Sequence, residues 1–447
     1  MSSKFFKSFS GKKVGFFGLG KSNSYILENL PEDSLALIRS DAPLPPLPKT
    51  RAKIIGTYVG KAAFDNPSEE ILILSPSVRR ERVEFLPFKE RGITFSSDCE
   101  LFFGAAHAPV FAVSGSDGKS TVTTLVSMLL AERFNKVELI GNVGVPMTSA
   151  LRSRASAYAC ELSSFMLSYG RYRVFRGTVT NISENHLDWH RSFSEYVEAK
   201  LSVFSRAEET ALNADDPISA RYFSSLSPWS VSSRITPYPE LKRKFRAQVY
   251  YTVGEGFIRR NGEPVIDLGC VKRAEPHNIS NLLSALSLTD GYVGRERMAE
   301  VASRFSGLTH RTEEFLRHGG LSFIDSSIDS TPKRTVTTLQ SLGRKVILIL
   351  GGRGKGLSYE PLREPLAKFA KCAIIIGENG DSIEKAVTGS TQIRRAESVE
   401  EAVRLAREIM TEGDTLLLSP ASTSYDRFKN FEDRGRIFKE TVYNIFG

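Results

Sequence analysis

Short apolar runs punctuate this chain at positions 14–17, 35–38, 71–74, 110–113, 346–350, 373–376 and 415–418, each bounded by glycine, proline, serine or charged residues. Runs this short and this rich in β-branched residues suit parallel strands buried on both faces. Between several of them the spacing turns helical. After Lys119 the apolar positions are Val122, Leu125, Val126, Leu129, Leu130 and Phe134, one face of a helix. Positions 194–204 form another, with Val197 and Phe204 near the face that carries Lys200. Alternating strands and helices predict an α/β protein. One break precedes the strand at Val110, near Phe102; the other falls near Gly307, where helical spacing gives way to Leu308-Thr309-His310-Arg311. The expected organisation is three domains, 1–102, 103–307 and 308–447, the middle one largest.

A length of 447 residues agrees with that division, since compact domains mostly hold ~100–200 residues. With 41% hydrophobic and 25% charged residues the chain is globular, neither disordered nor fibrous. No stretch approaches the ~18 consecutive apolar residues of a membrane span. The opening segment through Gly11 lacks the apolar region and cleavage site of a secretory signal, so a cytoplasmic protein is expected. Cys99, Cys160, Cys270 and Cys372 are too scattered for a disulfide framework or a paired-cysteine zinc site. The net charge of +9 comes without a basic tail or a nucleic-acid motif. It fits anionic small-molecule substrates better than nucleic acid.

The strongest local signal is Gly115-Ser116-Asp117-Gly118-Lys119-Ser120-Thr121, between an expected strand and an expected helix. Its glycines stand closer than in the general phosphate-loop pattern, but the context is the one such a loop requires. Backbone N–H groups and the helix N-terminus would receive phosphate oxygens, Lys119 would reach the outer phosphates, and Ser120 would face Mg²⁺. Gly18-Leu19-Gly20 also follows a strand, yet Asn23 stands where a dinucleotide fingerprint needs glycine. It reads equally well as a packing turn. Glu161 and His186 are a carboxylate and an imidazole suited to a divalent cation, or a surface and a capping residue. His186 and His190 have helical ligand spacing but no evident third ligand, which argues against zinc. Lys200 on an apolar face reads as a snorkelling side chain, or as an amine whose pKa burial lowers.

These motifs, in this order, resemble the Mur ligases, the ATP-dependent amino-acid-adding enzymes of peptidoglycan synthesis. Further support comes from Glu161-Leu162-Ser163-Ser164-Phe165, His277-Asn278 with Asn281, His310-Arg311, Asp325-Ser326, Gly351 onward to Lys355, and Ser419-Pro420-Ala421. Phe428-Lys429-Asn430-Phe431-Glu432-Asp433-Arg434-Gly435 is similar to the branch that adds D-glutamate. The resemblance implies a Rossmann-like UDP-binding domain, a central phosphate-loop ATPase-like domain and a Rossmann-like C-terminal domain. It implies that the partners are UDP-N-acetylmuramoyl-L-alanine and an amino acid, joined through an acyl phosphate at the expense of ATP with Mg²⁺; a monomer is expected. Ser120 and Glu161 would then serve one magnesium, and His186 and a carbamylated Lys200 a second. Asn278, Asn281, Arg311 and Asp325 would contact the nucleotide. Asn142 would touch the UDP-sugar substrate, and Lys355, Ser424, Tyr425 and Phe431 the incoming amino acid.

Four departures from the pattern matter. Asp117 replaces a usual Asn beside the phosphates, and Arg39 stands where an acid near the uracil is common. Ser327 and Asp329 replace a usual Lys and Thr. If both face the acceptor, the exchange favours a basic amino acid, so tolerance of lysine beside D-glutamate is expected. Alternatively Asp329 caps the helix near Pro332 or faces solvent. Another Mur ligase, a folylpolyglutamate synthase or a non-catalytic nucleotide-binding relative would share many of these motifs.

Overall fold

The structure, a computed structural model, describes residues 2–447 other than Arg171, Asp188 and Lys355, with side chains from Phe5 onward. The chain divides into two compact units, Met1–Phe305 and Ser306–Gly447. The described residues form three sheets, two in the first unit and one in the second.

The first sheet holds β1 (Lys13–Phe17), β2 (Leu35–Ser40), β3 (Lys53–Val59), β4 (Ile71–Leu74) and β5 (Thr94–Ser96). It is wholly parallel, in the order β3-β2-β1-β4-β5. The second comprises β6 (Val110–Ser114), β7 (Val137–Gly141), β8 (Ala157–Glu161), β9 (Val174–Val179), β10 (Ala207–Asn213), β11 (Ser230–Ser233), β12 (Val249–Gly254), β13 (Phe257–Arg260) and β14 (Glu263–Asp267). Its order is β14-β13-β12-β11-β10-β9-β6-β8-β7, with an antiparallel hairpin at the β14 edge. The third contains β15 (Glu313–His318), β16 (Leu321–Asp325), β17 (Val346–Gly351), β18 (Ala370–Ile376), β19 (Gln392–Arg395) and β20 (Thr415–Leu418), in the order β15-β16-β20-β17-β18-β19. Only β15 pairs antiparallel there.

All seven apolar runs lie in strands, and β17 shows why they are unbroken. Val346, Leu348 and Leu350 enter one core while Ile347 and Ile349 enter the core on the opposite face. A parallel sheet covered on both sides leaves no polar position in its central strands. The edge strand β3 has no such run, because its residues alternate between exposed and half-buried. Among the described residues, no helix is long and apolar enough to cross a membrane.

The break expected near Phe102 falls between the strands of the first sheet and those of the second, within the first compact unit. Its helix, Asp98–Phe103, is tied to the second sheet's layer, where the Asp98 carboxylate accepts from the Met147 and Thr148 amides and the Thr148 hydroxyl. Asn23 fills the place of the missing fingerprint glycine by donating to the carbonyls of Gly18 (2.8 Å) and Ile73 (3.2 Å), so the Gly18 turn is a packed turn.

Arg39 is wholly buried at the end of β2. It forms a two-pronged pair with Glu69 (2.7 and 3.1 Å) and donates to the carbonyls of Ala63 and Asp65. Tyr58 and Phe88 cover its guanidinium. Every face is occupied, so Arg39 fixes the segment before β4 and offers nothing to a nucleobase. Removing one member of a buried pair strands the other, at a cost of ~3–5 kcal/mol. Arg39→Ala is therefore expected to lower the unfolding free energy by about that much, and Arg39→Met combined with Glu69→Leu to recover most of it in denaturant titrations. Unchanged stability in the single variant would show the pair to be dispensable.

Candidate functional site

The second sheet aims its chemistry at the carboxyl ends of its parallel strands, where ligands bind in open α/β sheets. Chain leaving β6 turns through Gly115 to Gly118 into the helix Lys119–Leu130. Gly115 has φ +136° and Gly118 φ +78°, backbone conformations that L side chains rarely adopt. A Cβ on Gly118 would also lie 2.2 Å from Asn281 Oδ1, which places Asn281 directly against the loop. Asn278 sits one turn earlier on the same helix, its amide bound to Glu275.

The loop is held from below by the segment after β9. Ser116 N donates to the Asn181 carbonyl, and the Asp117 amide to Asn181 Oδ1. Thr180 and Asn181 side chains both donate to the Asp117 carbonyl. The Ser116 hydroxyl shares a 2.7 Å bond with Tyr196. The Asp117 side chain is exposed, Ser120 and Thr121 lie half-buried in the first helical turn, and Lys119 Nζ donates to the Ser116 carbonyl at 2.8 Å.

Lys200, on the helix Phe193–Arg206, is buried beneath this loop and donates to the Gly115 carbonyl at 2.6 Å. Burial, reinforced by the Lys119 ammonium and opposed by Glu161 and Asp117, pulls its pKa down to about 6. The amine is mainly neutral at pH 7. Glu161 ends β8 with one oxygen accepting from the Asn142 amide (2.7 Å) and the other buried without a hydrogen-bond partner among the described residues. Asn142 thus orients Glu161.

His186 occupies a tight turn at φ +53°, its ring edge-on to Phe165 at 5.0 Å. His190 is buried behind it, bound to the Ser164 hydroxyl at 2.9 Å, and burial lowers its pKa. Thr180, Asn181 and Tyr196 were not among the expected site residues. Tyr196 could have been found, since it lies four residues before Lys200 on the same helical face.

In the second unit, Asp325 is fully buried. Its carboxylate accepts from the Ser327 amide and pairs with His310 Nδ1 at 2.6 Å, so it holds the His310-Arg311 corner and has no oxygen open to a nucleotide here. His310, Glu313 and Asp325 lie close enough together for a metal, but the Lys439 ammonium pairs with Glu313 and lies 3.7 Å from Asp325, supplying the positive charge. Ser424 is buried and Tyr425 is exposed. Phe431 opens the last helix, and its carbonyl accepts from Ser327. Lys355 lies outside the described residues.

The expected tolerance of lysine loses its basis here. Asp329 is buried, with one carboxylate oxygen accepting from the Thr338 and Ser419 hydroxyls at 2.7 Å each. It neither faces solvent nor caps the helix Pro332–Leu342. Ser327 is bound to the guanidinium of Arg434 (3.0 Å), a buried cation that also donates to the Ser327 and Ser422 carbonyls. Both exchanged residues serve internal bonds.

Two family profiles match the chain, the Mur ligase middle domain over residues 113–289 and the Mur ligase glutamate ligase domain over residues 310–422. UDP-N-acetylmuramoylalanine–D-glutamate ligase of Ruminiclostridium cellulolyticum is 35% identical over 84% of this chain and 83% of its own length. The enzyme of that name from Acetivibrio thermocellus is 33% identical over 99% and 98%, and that from Pseudomonas aeruginosa 32% over 96% and 97%. Among solved structures, UDP-N-acetylmuramate-alanine ligase of Thermotoga maritima shares the fold, with a TM-score of 0.58 at 16% identity over 97% of this chain and 99% of its own.

Burial of Lys200 carries a stability signature. Its pKa is lower folded (about 6) than unfolded (10.5), so between those values the unfolded chain binds the extra proton and stability rises with pH. In CO₂-free buffer the slope due to this group is about 1.4 kcal/mol per pH unit across that window. Lys200→Met is expected to remove that contribution in denaturation curves measured from pH 6 to 9; an unchanged slope would contradict the buried amine.

Proposed function

The chain belongs to the Mur ligase family, and from that premise we propose that it joins D-glutamate to UDP-N-acetylmuramoyl-L-alanine through an acyl phosphate. As a Mur ligase it is an ATP-dependent, peptide-bond-forming enzyme of cell-wall synthesis. The choice of D-glutamate is supported by the activity for which relatives matching nearly the whole chain are named. The observation that carries the chemistry is the convergence of Lys119, Lys200 and the unsatisfied Glu161 oxygen at one phosphate loop. In this reading residues 1–102 hold the UDP moiety, 103–307 the ATP and 308–447 the amino acid, and the enzyme works in the cytoplasm, where ATP is supplied.

Glu161 tests whether magnesium fits. A buried carboxylate oxygen with no donor is costly unless a cation meets it, and hard oxygen ligands are what Mg²⁺ takes. Glu161 and Ser120 would hold one ion, and His186 with a carbamylated Lys200 a second. ATP with Mg²⁺ supplies the phosphoryl group and neutralises its charge. The loop amides and the helix N-terminus orient the phosphates, while Lys119 swings from the Ser116 carbonyl to the transferring oxygens. Lys200, neutral at physiological pH, is competent to take up CO₂ and so gain the carboxylate that a second cation needs. Asn142 holds Glu161 in place.

Phosphate release with UDP-N-acetylmuramoyl-L-alanine and a panel of amino acids tests the assignment. Turnover is expected with D-glutamate and not with either lysine enantiomer or with folate acceptors; turnover with another acceptor alone would move the chain to a different ligase branch. Lys119→Ala should lower kcat by about 10²–10³-fold or more while the protein stays folded. Lys200→Ala should be nearly inactive and regain some of its rate when a short carboxylic acid is added. Failure of every such acid to restore any rate would count against the carbamate.

A further inference from the structure

The turn that carries His186 is strained for a non-glycine residue, and such turns persist only where their surroundings hold them. The His186 carbonyl accepts from the amides of Trp189 and His190, which closes the turn. What holds it from outside comes from the first sheet. Trp189 Nε1 donates to the Ser77 carbonyl at 2.8 Å, in the loop that follows β4. From the same loop Arg79 donates one guanidinium nitrogen to the Trp189 carbonyl at 2.5 Å and another to Glu195 at 3.1 Å. Its guanidinium also lies 5.0 Å from the Trp189 ring centre. The second Glu195 oxygen accepts from the Arg191 amide, so one arginine fastens both ends of the segment from Trp189 to Glu195. Trp189 in turn packs on Phe165 (4.6 Å), and Phe165 on His186 (5.0 Å).

We propose that Arg79 is a positioning residue, coupling occupancy of the first sheet's ligand crevice to the placement of His186. The loop after β4 lies at the carboxyl end of a parallel sheet, where a ligand of that sheet would sit. A ligand that shifts this loop moves the guanidinium, and the guanidinium holds the carbonyl three residues from His186. Coupling of this kind is reciprocal, so occupancy of the cation position stiffens the same loop. The inference rests on the proposed function both for its kinetics and for the choice of UDP substrate as optical probe, but the optical test needs binding alone and no turnover.

Two measurements decide it. Trp189 and Trp229 are the two tryptophans of the chain. In a Trp229→Phe background the emission of Trp189 should shift when UDP-N-acetylmuramoyl-L-alanine is added without ATP, and Arg79→Ala should abolish the shift while substrate still binds by calorimetry. Steady-state kinetics should show kcat falling about 10–100-fold in Arg79→Ala, the half-saturating Mg²⁺ concentration rising several-fold, and KM for the UDP substrate changing less than about threefold. Arg79→Lys, which keeps one of the two hydrogen bonds, should recover some of the lost kcat. Glu195→Gln leaves the Trp189 contact and supplies a gentler second variant should Arg79→Ala unfold. An intact emission shift in Arg79→Ala, a defect confined to KM, or a normal Mg²⁺ dependence would overturn the proposal. A wild-type protein that binds the UDP substrate and shifts its emission without ligating would overturn the functional reading and leave the coupling standing.

Discussion

A primary amine buried under a glycine loop is the constraint on which the central site depends. Lys200 reaches the Gly115 carbonyl from a helix whose apolar positions pack into the core, and its amine donates to a carbonyl rather than to a carboxylate. Such a group is tolerated because it gives up its proton, and the nearby Lys119 ammonium pushes the same way. The phosphate loop follows from this arrangement. Gly115 must bring its carbonyl down to the amine, and Tyr196, one turn back along the helix, then meets the Ser116 hydroxyl. The surface above the loop is left to amides and Lys119, while neutral nucleophilic nitrogen lies below.

Arg39 poses the same problem with the opposite solution. An arginine cannot shed its proton in a protein, so its burial requires a fixed anion and a ring of acceptors, here Glu69 and the carbonyls of Ala63 and Asp65. The pair locks a segment of the first sheet. Lysine suits a reactive position and arginine a structural one for this reason. Residue type, taken with burial, separates the two roles even before partners are known.

Much of this could be read from the chain, and the boundary has a physical origin. Runs such as 346–350 announce strands because both faces of a parallel sheet are apolar, and the glycines and Lys119 announce the phosphate loop because few residue types tolerate that backbone. The helical face carrying Lys200 was legible from Val197 and Phe204. Partners remote in sequence were not. Nothing near Arg39 points to Glu69, thirty residues on, and nothing near Asp98 indicates that its carboxylate closes on the Met147 and Thr148 amides. A composition break at Phe102 was therefore visible while the contacts bridging it were hidden. His190 shows a subtler failure, for helical spacing from His186 said nothing of the Ser164 hydroxyl that claims its ring.

Ser327 and Asp329 show why counting charges along a sequence misjudges a pocket. Taken singly, loss of a usual lysine and gain of an aspartate turn the local field negative, and a basic acceptor follows. In the fold the aspartate is turned inward, where two hydroxyls hold it inside the third sheet's layer. The serine makes room for a cation already present, as Arg434 lays its Nε against the Ser327 hydroxyl and a terminal nitrogen against the Ser327 carbonyl. Burial carries the pKa of that arginine down to about 10, although Asp426, Asp325 and Asp329 each raise it, so the group remains charged at neutral pH. The exchanged positions thus belong to one buried assembly of a guanidinium and nearby carboxylates. Specificity for an acidic or a basic amino acid must be sought in side chains that leave this assembly and face outward, and Asp329 is not one of them.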